Sequence, residues 1–278
     1  NPFGAKRQNF HHITKNNSMK SIYLFSIFSL FLLSNSCSQN LSAYKKEYFV
    51  SEKGDTLPYR ILLPKEYNET QKYPLVLFLH GAGERGNDNE LQLVHGAKMF
   101  VDNIKKYPSI IVFPQCEKDN RWSDVDWDSR MEDGTCNMPL SERPTRPMGL
   151  VLELLDELLE TKSVDLNRIY LGGLSMGGFG SFDLLARKPN FFAAALPICG
   201  GGNPLAAPLY SNNTSIWIFH GDSDVVVPVE GSRKMYRVLK ELGADVKYSE
   251  YEGVNHDSWN NAFAEPELLE WLFSKKME

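Results

Sequence analysis

The 278-residue sequence has few cysteines and no long apolar stretch, and both shortages restrict what it can be. Its four cysteines form neither a C-x-x-C pair nor a paired His-Cys spacing, so a structural zinc site is not expected. The apolar run at residues 22–33 is too short to cross a bilayer of roughly 30 Å. A formal charge of −5, with scattered lysines and arginines, leaves no basic footprint for nucleic acid. Length and composition instead fit one large α/β domain.

The apolar run at residues 22–33 is typical of the core of a secretory signal peptide. Lys20 precedes it, and small polar residues follow it directly before Cys37. A small residue before a cysteine resembles a bacterial lipoprotein signal, in which Cys37 becomes a lipidated amino terminus. Ordinary cleavage near Gln39 is the alternative. We expect an upstream extension and signal in residues 1–40, and an exported protein that is periplasmic, lipid-anchored at a membrane, or secreted.

From residue 45 onward, apolar runs alternate with helical segments. Eight runs predict strands, at residues 46–52, 56–64, 75–80, 109–115, 168–174, 193–199, 215–220 and 246–253. Helices are predicted at residues 148–161, 175–187, 228–243 and 266–276. Buried strands that alternate with helices predict an α/β fold with a mostly parallel eight-stranded sheet and helices on both faces.

The stretch at residues 117–146 matches no helix or strand pattern. Long loops of this kind in compact domains are often lids or binding loops. Because it follows a strand and precedes a helix, we expect it at the carboxyl edge of the sheet, where ligands bind in such folds. In an exported protein, Cys116 and Cys136 could form a disulfide there, whereas Cys199 is expected in the core.

Ser175 lies in the pattern G-x-S-x-G, Gly173 to Gly177, between a predicted strand and a predicted helix. In a nucleophile elbow the turn is so sharp that only glycine fits two positions either side of the serine. The serine hydroxyl then points to solvent, above a helix amino terminus. A glycine-rich turn without function is the alternative, and the downstream residues decide between them.

Two histidines follow Ser175 in the sequence. His256 comes after the last predicted strand, where the base of a Ser-Asp-His triad is expected. His220 ends an apolar strand and is expected to be buried beneath the next turn. That turn holds Asp222 and Asp224, and we predict Asp224 as the triad acid because it lies further from the strand end. Asp222 is expected to cap the turn.

An oxyanion hole needs two preorganised amide groups. The sequence "LFLHGAG" ends the third predicted strand, and we assign the hole to the amides of Ala82 and Met176. His80 is expected to be a core histidine that orients this loop. Arg85 is expected to pair on the surface with Glu84 or Asp88; a carboxylate on a substrate is its alternative partner.

The stretches "FLHGAGERG", "YLGGLSMGGFGSFDLLARKP", "HGDSDVVVP" and "YEGVNHDSW" resemble the α/β-hydrolase fold. The similarity is to its bacterial esterase, dienelactone-hydrolase and carbohydrate-esterase relatives, some of them labelled predicted peptidases. It implies that residues 41–278 form a catalytic domain that cleaves carboxylic esters, with acetyl or feruloyl groups of polysaccharides as candidate substrates. A peptidase of the prolyl-oligopeptidase type and an inactive binding protein are the alternatives.

The same resemblance implies specific roles for residues. Ser175 would be the nucleophile, Asp224 the acid and His256 the base. The loop "RWSDVDW" would border the substrate pocket, where Trp122 and Trp127 would stack on an aromatic or sugar ring, or would only anchor the loop. Neither a cofactor nor a metal ion is expected, and the only partner expected is a small or polysaccharide-linked ester.

Overall fold

The computed structural model describes residues 41–132 and 134–277. The predicted signal and Cys37 therefore lie outside the described residues. No helix in the described part of the chain is long and apolar enough to span a membrane. The described residues form an eight-stranded sheet and a separate two-stranded hairpin. The strands are β1 Lys45–Val50, β2 Thr56–Leu62, β3 Tyr73–Leu79, β4 Ile110–Pro114, β5 Asp126–Arg130, β6 Cys136–Asn137, β7 Val164–Leu174, β8 Ala194–Ile198, β9 Ser215–Gly221 and β10 Val246–Tyr251.

The large sheet has the order β1-β2-β4-β3-β7-β8-β9-β10. β1 and β2 pair antiparallel, and β2 joins β4 antiparallel. All later pairs, from β4–β3 to β9–β10, are parallel. The predicted α/β fold with eight mostly parallel strands is therefore confirmed. The carboxyl ends of β3, β7 and β8 lie side by side at one edge of the sheet.

Helices cover both faces of the sheet. They are α1 Ala97–Asn103, α2 Arg146–Thr161, α3 Met176–Arg187, α4 Glu230–Glu241, α5 Trp259–Ala264 and α6 Leu268–Ser274. Along β3, Leu75 and Leu77 pack in the core cluster with α2, α3 and α4, whereas Val76 and Phe78 pack in the cluster with α1, α5 and α6. This alternation follows from the two-residue period of a strand, and it explains why β3 has no polar face.

The segment at residues 117–146 differs from the prediction. It contains the hairpin β5–β6, which pairs Asp126 with Asn137 and Arg130 with Cys136. These paired positions are polar or small, so the segment lacks the apolar alternation that signals a strand. At its end, the Thr145 hydroxyl accepts the amide of Met148 at 3.3 Å and caps α2.

Candidate active site

Ser175 stands alone between the end of β7 at Leu174 and the start of α3 at Met176. Its backbone has φ 51° and ψ −116°, in the positive-φ region that non-glycine residues rarely adopt. Its amide donates to the carbonyl of Ile198 at the end of β8, at 2.9 Å. A strained residue of this kind persists only where its surroundings hold it, and such residues cluster at functional sites.

The two flanking glycines allow this turn. A β-carbon on Gly177 would stand 1.9 Å from the carbonyl oxygen of Leu79 in β3. A β-carbon on Gly173 would stand 2.3 Å from the carbonyl oxygen of Gly177. Either contact is far inside van der Waals distance, so the G-x-S-x-G pattern is a packing requirement of this strand-to-helix turn.

The structure brings Ser175, His256 and Asp224 into one hydrogen-bonded chain. The Ser175 hydroxyl lies 2.9 Å from His256 Nε2, and His256 Nδ1 lies 2.7 Å from Asp224 Oδ2. Because a carboxylate can only accept, Nδ1 carries the proton and Nε2 is left to accept from the serine. The imidazole therefore presents an unprotonated nitrogen to the Ser175 hydroxyl.

The carboxylate of Asp224 is shielded from solvent but fully partnered. Its Oδ1 accepts the amides of Val226 at 2.8 Å and Val227 at 2.9 Å. Its Oδ2 also lies 3.2 Å from His220 Nε2. Burial alone would raise the pKa of Asp224, but the hydrogen bonds from His220, His256 and the two amides outweigh it and hold the pKa well below its ordinary value. Asp224 is thus kept ionised.

Asp222 and His220, the other aspartate and the other histidine considered, have different hydrogen-bond partners. Asp222 Oδ1 accepts the amide of Gly253 at 2.8 Å and the hydroxyl of Ser223 at 2.9 Å, as a capping residue would. His220 is fully buried, with Nδ1 2.7 Å from the hydroxyl of Ser232. Both arrangements agree with the positions expected from the sequence.

Sequence patterns did not single out Asn255, which joins the acid turn to the histidine loop. Its side-chain oxygen accepts the amide of Val225 at 3.1 Å and the amide of His256 at 2.8 Å. The ring of Trp259 lies edge-on to the imidazole of His256, with centroids 5.4 Å apart. The signal available in the sequence was the asparagine directly before the histidine, a residue type that bonds neighbouring backbone amides.

Ala82 and Met176 line the same cavity as Ser175. Met176 is the first residue of α3, so its amide is among those that have no acceptor within the helix. Ala82 begins a short 3₁₀ turn after β3. Arg85 does not form the expected surface ion pair. Its guanidinium donates instead to the carbonyls of Ala82 at 2.9 Å and Asn120 at 3.2 Å, which ties this turn to the 117–146 segment.

His80 supports the Ala82 turn from below, as expected. Its Nε2 accepts the amide of Cys116 at 2.9 Å, so the proton is on Nδ1, which donates to the carbonyl of Gly81 at 2.6 Å. Burial lowers the pKa of His80 to about 4, against the smaller opposing effect of its bond to Gly81. A neutral His80 therefore connects the ends of β3 and β4.

The expectation that Trp122 offers its ring to a ligand is corrected by the structure. Its indole is fully buried and its N–H donates to the carbonyl of His80 at 3.0 Å. The hydroxyl of Thr145 donates to the carbonyl of Trp122 at 3.0 Å. Trp127, in contrast, is 38% exposed, lines the cavity of Ser175 and lies edge-on to Phe179. Of the two tryptophans, Trp127 is therefore the one whose ring is exposed in the cavity of Ser175.

No disulfide joins Cys116 and Cys136, so the pairing that the sequence permitted does not form. Cys199 is buried, as predicted. Its sulfur lies within 4.8 Å of ligand atoms on Asp224 and His256, a spacing that a metal ion could use. Burial raises the pKa of the Cys199 thiol, which disfavours the thiolate that binds metals. The Asp224 and His256 atoms are already hydrogen-bonded to each other and to Ser175.

The cavity that contains Ser175, here called the main cleft, has a volume of about 790 Å³. Its lining combines charged and amide groups with Trp127 and two valines: Ala82, Arg85, Asp119, Asn120, Arg121, Asp124, Trp127, Thr145, Arg146, Ser175, Met176, Val226 and Val227. The Arg146 guanidinium forms ion pairs with Asp55 and Glu117, both at 2.6 Å. The main cleft is thus a polar groove with one aromatic ring beside the serine.

Residues 66–267 match the family model described as phospholipase/carboxylesterase. The chain belongs to this family. The match confirms the predicted resemblance to the esterases of the α/β-hydrolase fold and the predicted class of carboxylic ester hydrolase. A crystal structure of a thermostable esterase is similar with 37% identity and a TM-score of 0.76, covering 86% of this chain and 64% of that one.

Other relatives match over smaller parts or at lower identity. A bifunctional acetylxylan esterase/xylanase of Neocallimastix patriciarum is 32% identical over 34% of this chain and 14% of its own length. An uncharacterized secreted protein of Arthroderma benhamiae is 25% identical over 68% of this chain and 22% of its own length. A ferulic acid esterase of Anaeromyces mucronatus, at 17% identity and TM-score 0.54 over 78% of this chain and 86% of its own, shares the fold.

Proposed function

We propose that this protein is a serine esterase in which Ser175 is the nucleophile, His256 the general base and Asp224 the acid that orients it. The observation that carries the proposal is the hydrogen-bonded chain from Ser175 Oγ through the imidazole to Asp224 Oδ2, with contacts of 2.9 and 2.7 Å. A nucleophile, its base and the group that orients the base are together within hydrogen-bond reach.

In the proposed mechanism, Ser175 Oγ attacks the ester carbonyl carbon while its proton passes to His256 Nε2. The carbonyl oxygen becomes an oxyanion that the amides of Ala82 and Met176 stabilise. The intermediate then collapses: the bond to the alcohol oxygen breaks, and that oxygen takes the proton from His256. Water then attacks the acyl-serine while His256 removes its proton. The bond from the acyl carbon to Ser175 Oγ breaks, Oγ takes that proton from His256, and the acid is released. Asp224 stays ionised throughout.

We further propose an acyl ester of a polysaccharide as the substrate. The main cleft offers arginine, aspartate and asparagine side chains, which suit the hydroxyl groups of a sugar, beside the exposed ring of Trp127. The relative named as an acetylxylan esterase/xylanase supports this class of substrate. The family match favours esters over the peptide bonds of the alternative peptidase.

Export belongs to the same proposal. The apolar run at residues 22–33 and the small residues before Cys37 support a signal, and the relative named as a secreted protein agrees with it. The mass of the mature amino terminus in a native host tests this point. A lipid on Cys37 would mean a membrane anchor, and an unmodified terminus near Gln39 a soluble exported enzyme.

Labelling by a fluorophosphonate tests the mechanism. We expect one equivalent on Ser175, and Ser175→Ala should abolish labelling and lower the rate on aryl acetates by about 10⁴-fold or more. Ser223→Ala, at an exposed serine of the acid turn, is the matched control and should behave as wild type. Normal turnover by Ser175→Ala would overturn the proposed function.

A further inference from the structure

A second cavity lies beside the main cleft and has a different character. Its volume is about 330 Å³, and its walls include the apolar residues Met131, Met138, Phe179, Leu205, Val227 and Pro228. We call it the side pocket. Its volume lies within the usual range for ligand pockets, about 300–1,000 Å³. It is also about twice that of a 150 Å³ protein cavity that binds benzene, so it has room for an aromatic ring with a short linker.

Phe179, which lines the side pocket, lies one helical turn from the proposed nucleophile. Phe179 follows Ser175 by four residues on α3, a rise of about 6 Å, and its amide donates to the Ser175 carbonyl at 3.1 Å. Val227 lines both cavities. The ring of Phe179 lies 5.2 Å from that of Trp127, which lines the main cleft. Trp127, Phe179 and Val227 therefore lie on the boundary between the two cavities, which we call the partition.

Exposed apolar side chains line both cavities. Leu205 is 90% exposed and Met131 48% exposed at the side pocket, and Val226 is 54% exposed on the main cleft beside the partition. Grouped apolar side chains left open to water mark binding surfaces. The lining of the main cleft includes charged side chains, so the two cavities offer a polar and an apolar compartment that meet at the partition.

We propose that the side pocket binds the acyl group of the substrate, which is then an ester of a bulky apolar or aromatic acid with a polar alcohol. This inference rests on the proposed function, because it requires the ester carbon to lie at Ser175. A sugar alcohol suits the polar main cleft, which leaves the apolar compartment for the acyl chain or ring. A longer acyl group has more apolar surface to bury in the side pocket than an acetyl group has.

An acyl-length series with one leaving group tests the assignment. For p-nitrophenyl acetate, butyrate and hexanoate, we expect kcat/KM to rise by up to about fourfold for each added methylene that becomes buried. Leu205→Asp places a carboxylate at the pocket mouth and should lower kcat/KM on hexanoate about tenfold, while acetate changes less than twofold. Leu209→Asp is the matched control: it is exposed on the same 3₁₀ helix but is not among the residues that line either cavity.

A second variant fills the pocket instead of changing its charge. Asn137→Trp, at an exposed position of β6 that lines the side pocket, should also lower hexanoate turnover and spare acetate. Equal kcat/KM for acetate and hexanoate in the wild type, or equal losses on both in Leu205→Asp, would overturn the acyl assignment and leave the esterase intact.

The alcohol side needs its own series. In alkyl acetates of rising alcohol length, we expect Leu205→Asp to behave as wild type. A gain with alcohol length that Leu205→Asp removes would overturn the proposal and assign the side pocket to the alcohol. Failure of the wild type to hydrolyse any of these esters or to react with a fluorophosphonate would instead overturn the proposed function itself, and the acyl assignment with it.

Discussion

Two regions border the main cleft, and they are built in opposite ways. The turns after β7, β9 and β10 are short, and their polar groups are fixed by several bonds each: the carboxylate of Asp224 alone meets two amides and two imidazoles. The segment at residues 117–146 is long and is joined to the rest of the chain by contacts between distant residues, such as Trp122 with His80, Asn120 with Arg85 and Arg146 with Asp55. Under the proposed function, we therefore expect catalysis to depend on the first region and substrate choice to depend on the second.

The largest effect is expected in the acid turn. Asp224→Asn replaces an acceptor of the Nδ1 proton with an amide that can donate, which favours the wrong tautomer of His256, and should lower kcat about 10⁴-fold with the fold intact. Asp222→Asn is the control, because its carboxylate caps the backbone at Gly253 and does not meet His256. Initial rates on an aryl acetate measure kcat for both variants, and circular dichroism checks that each is folded. The reverse pattern would show that Asp222 is the acid.

The acid turn and the serine turn could be predicted from sequence because their residues are constrained locally. There is no room for a side chain at position 177, and the G-x-S-x-G pattern requires glycine at this position. The choice of Asp224 over Asp222 used its distance from the strand end and its place just before the apolar sequence "VVVP". In the structure, the amides of Val226 and Val227 in that sequence converge on the Asp224 carboxylate. Such contacts form between residues that are close in sequence, so a short motif is enough to predict them.

The second region was less predictable because its contacts are long-range. Nothing local distinguishes Trp122 from Trp127, five residues apart in a charged segment. Their difference depends on the carbonyl of His80, 42 residues away from Trp122, and on the space that Gly180 leaves on α3. The β5–β6 hairpin was missed for a related reason, since polar positions pair across it without an apolar face.

Trp122 and Trp127 should differ in how much each contributes to the free energy of unfolding, an effect smaller than that of Asp224→Asn on kcat. Trp122→Ala removes a fully buried indole and its hydrogen bond to His80, and should lower the free energy of unfolding by about 3–5 kcal/mol. Trp127→Ala, the matched control, should cost less than about 1 kcal/mol because much of its ring faces solvent. Urea unfolding followed by circular dichroism measures both. Equal costs would show that the whole segment is one structural unit.

His80, whose carbonyl accepts the Trp122 indole N–H, should make the stability of the protein depend on pH. Its pKa is lowered to about 4 from an ordinary 6.5, so as the pH falls the unfolded chain takes up the proton first. The stability that neutral His80 contributes is present above pH 6.5 and is lost between pH 6.5 and 4, up to about 3 kcal/mol. Unfolding free energies from urea titrations across this range should fall accordingly, and His80→Gln should remove that part of the slope. An unchanged slope would show that another group titrates there.

Trp127 should affect substrate choice rather than stability, and this is the smallest effect of the series. Its exposed ring in the main cleft, held edge-on by Phe179, can stack on a phenolic or sugar ring. Trp127→Ala should raise KM for an ester of a sugar alcohol such as acetylated xylan about tenfold, or about 1.4 kcal/mol, and leave KM for an aryl acetate nearly unchanged. Initial rates over a range of substrate concentrations give both constants. Equal losses on the two substrates would mean that the ring only holds the hairpin in place, and the contrast between a catalytic region and a selecting region would then fail at Trp127.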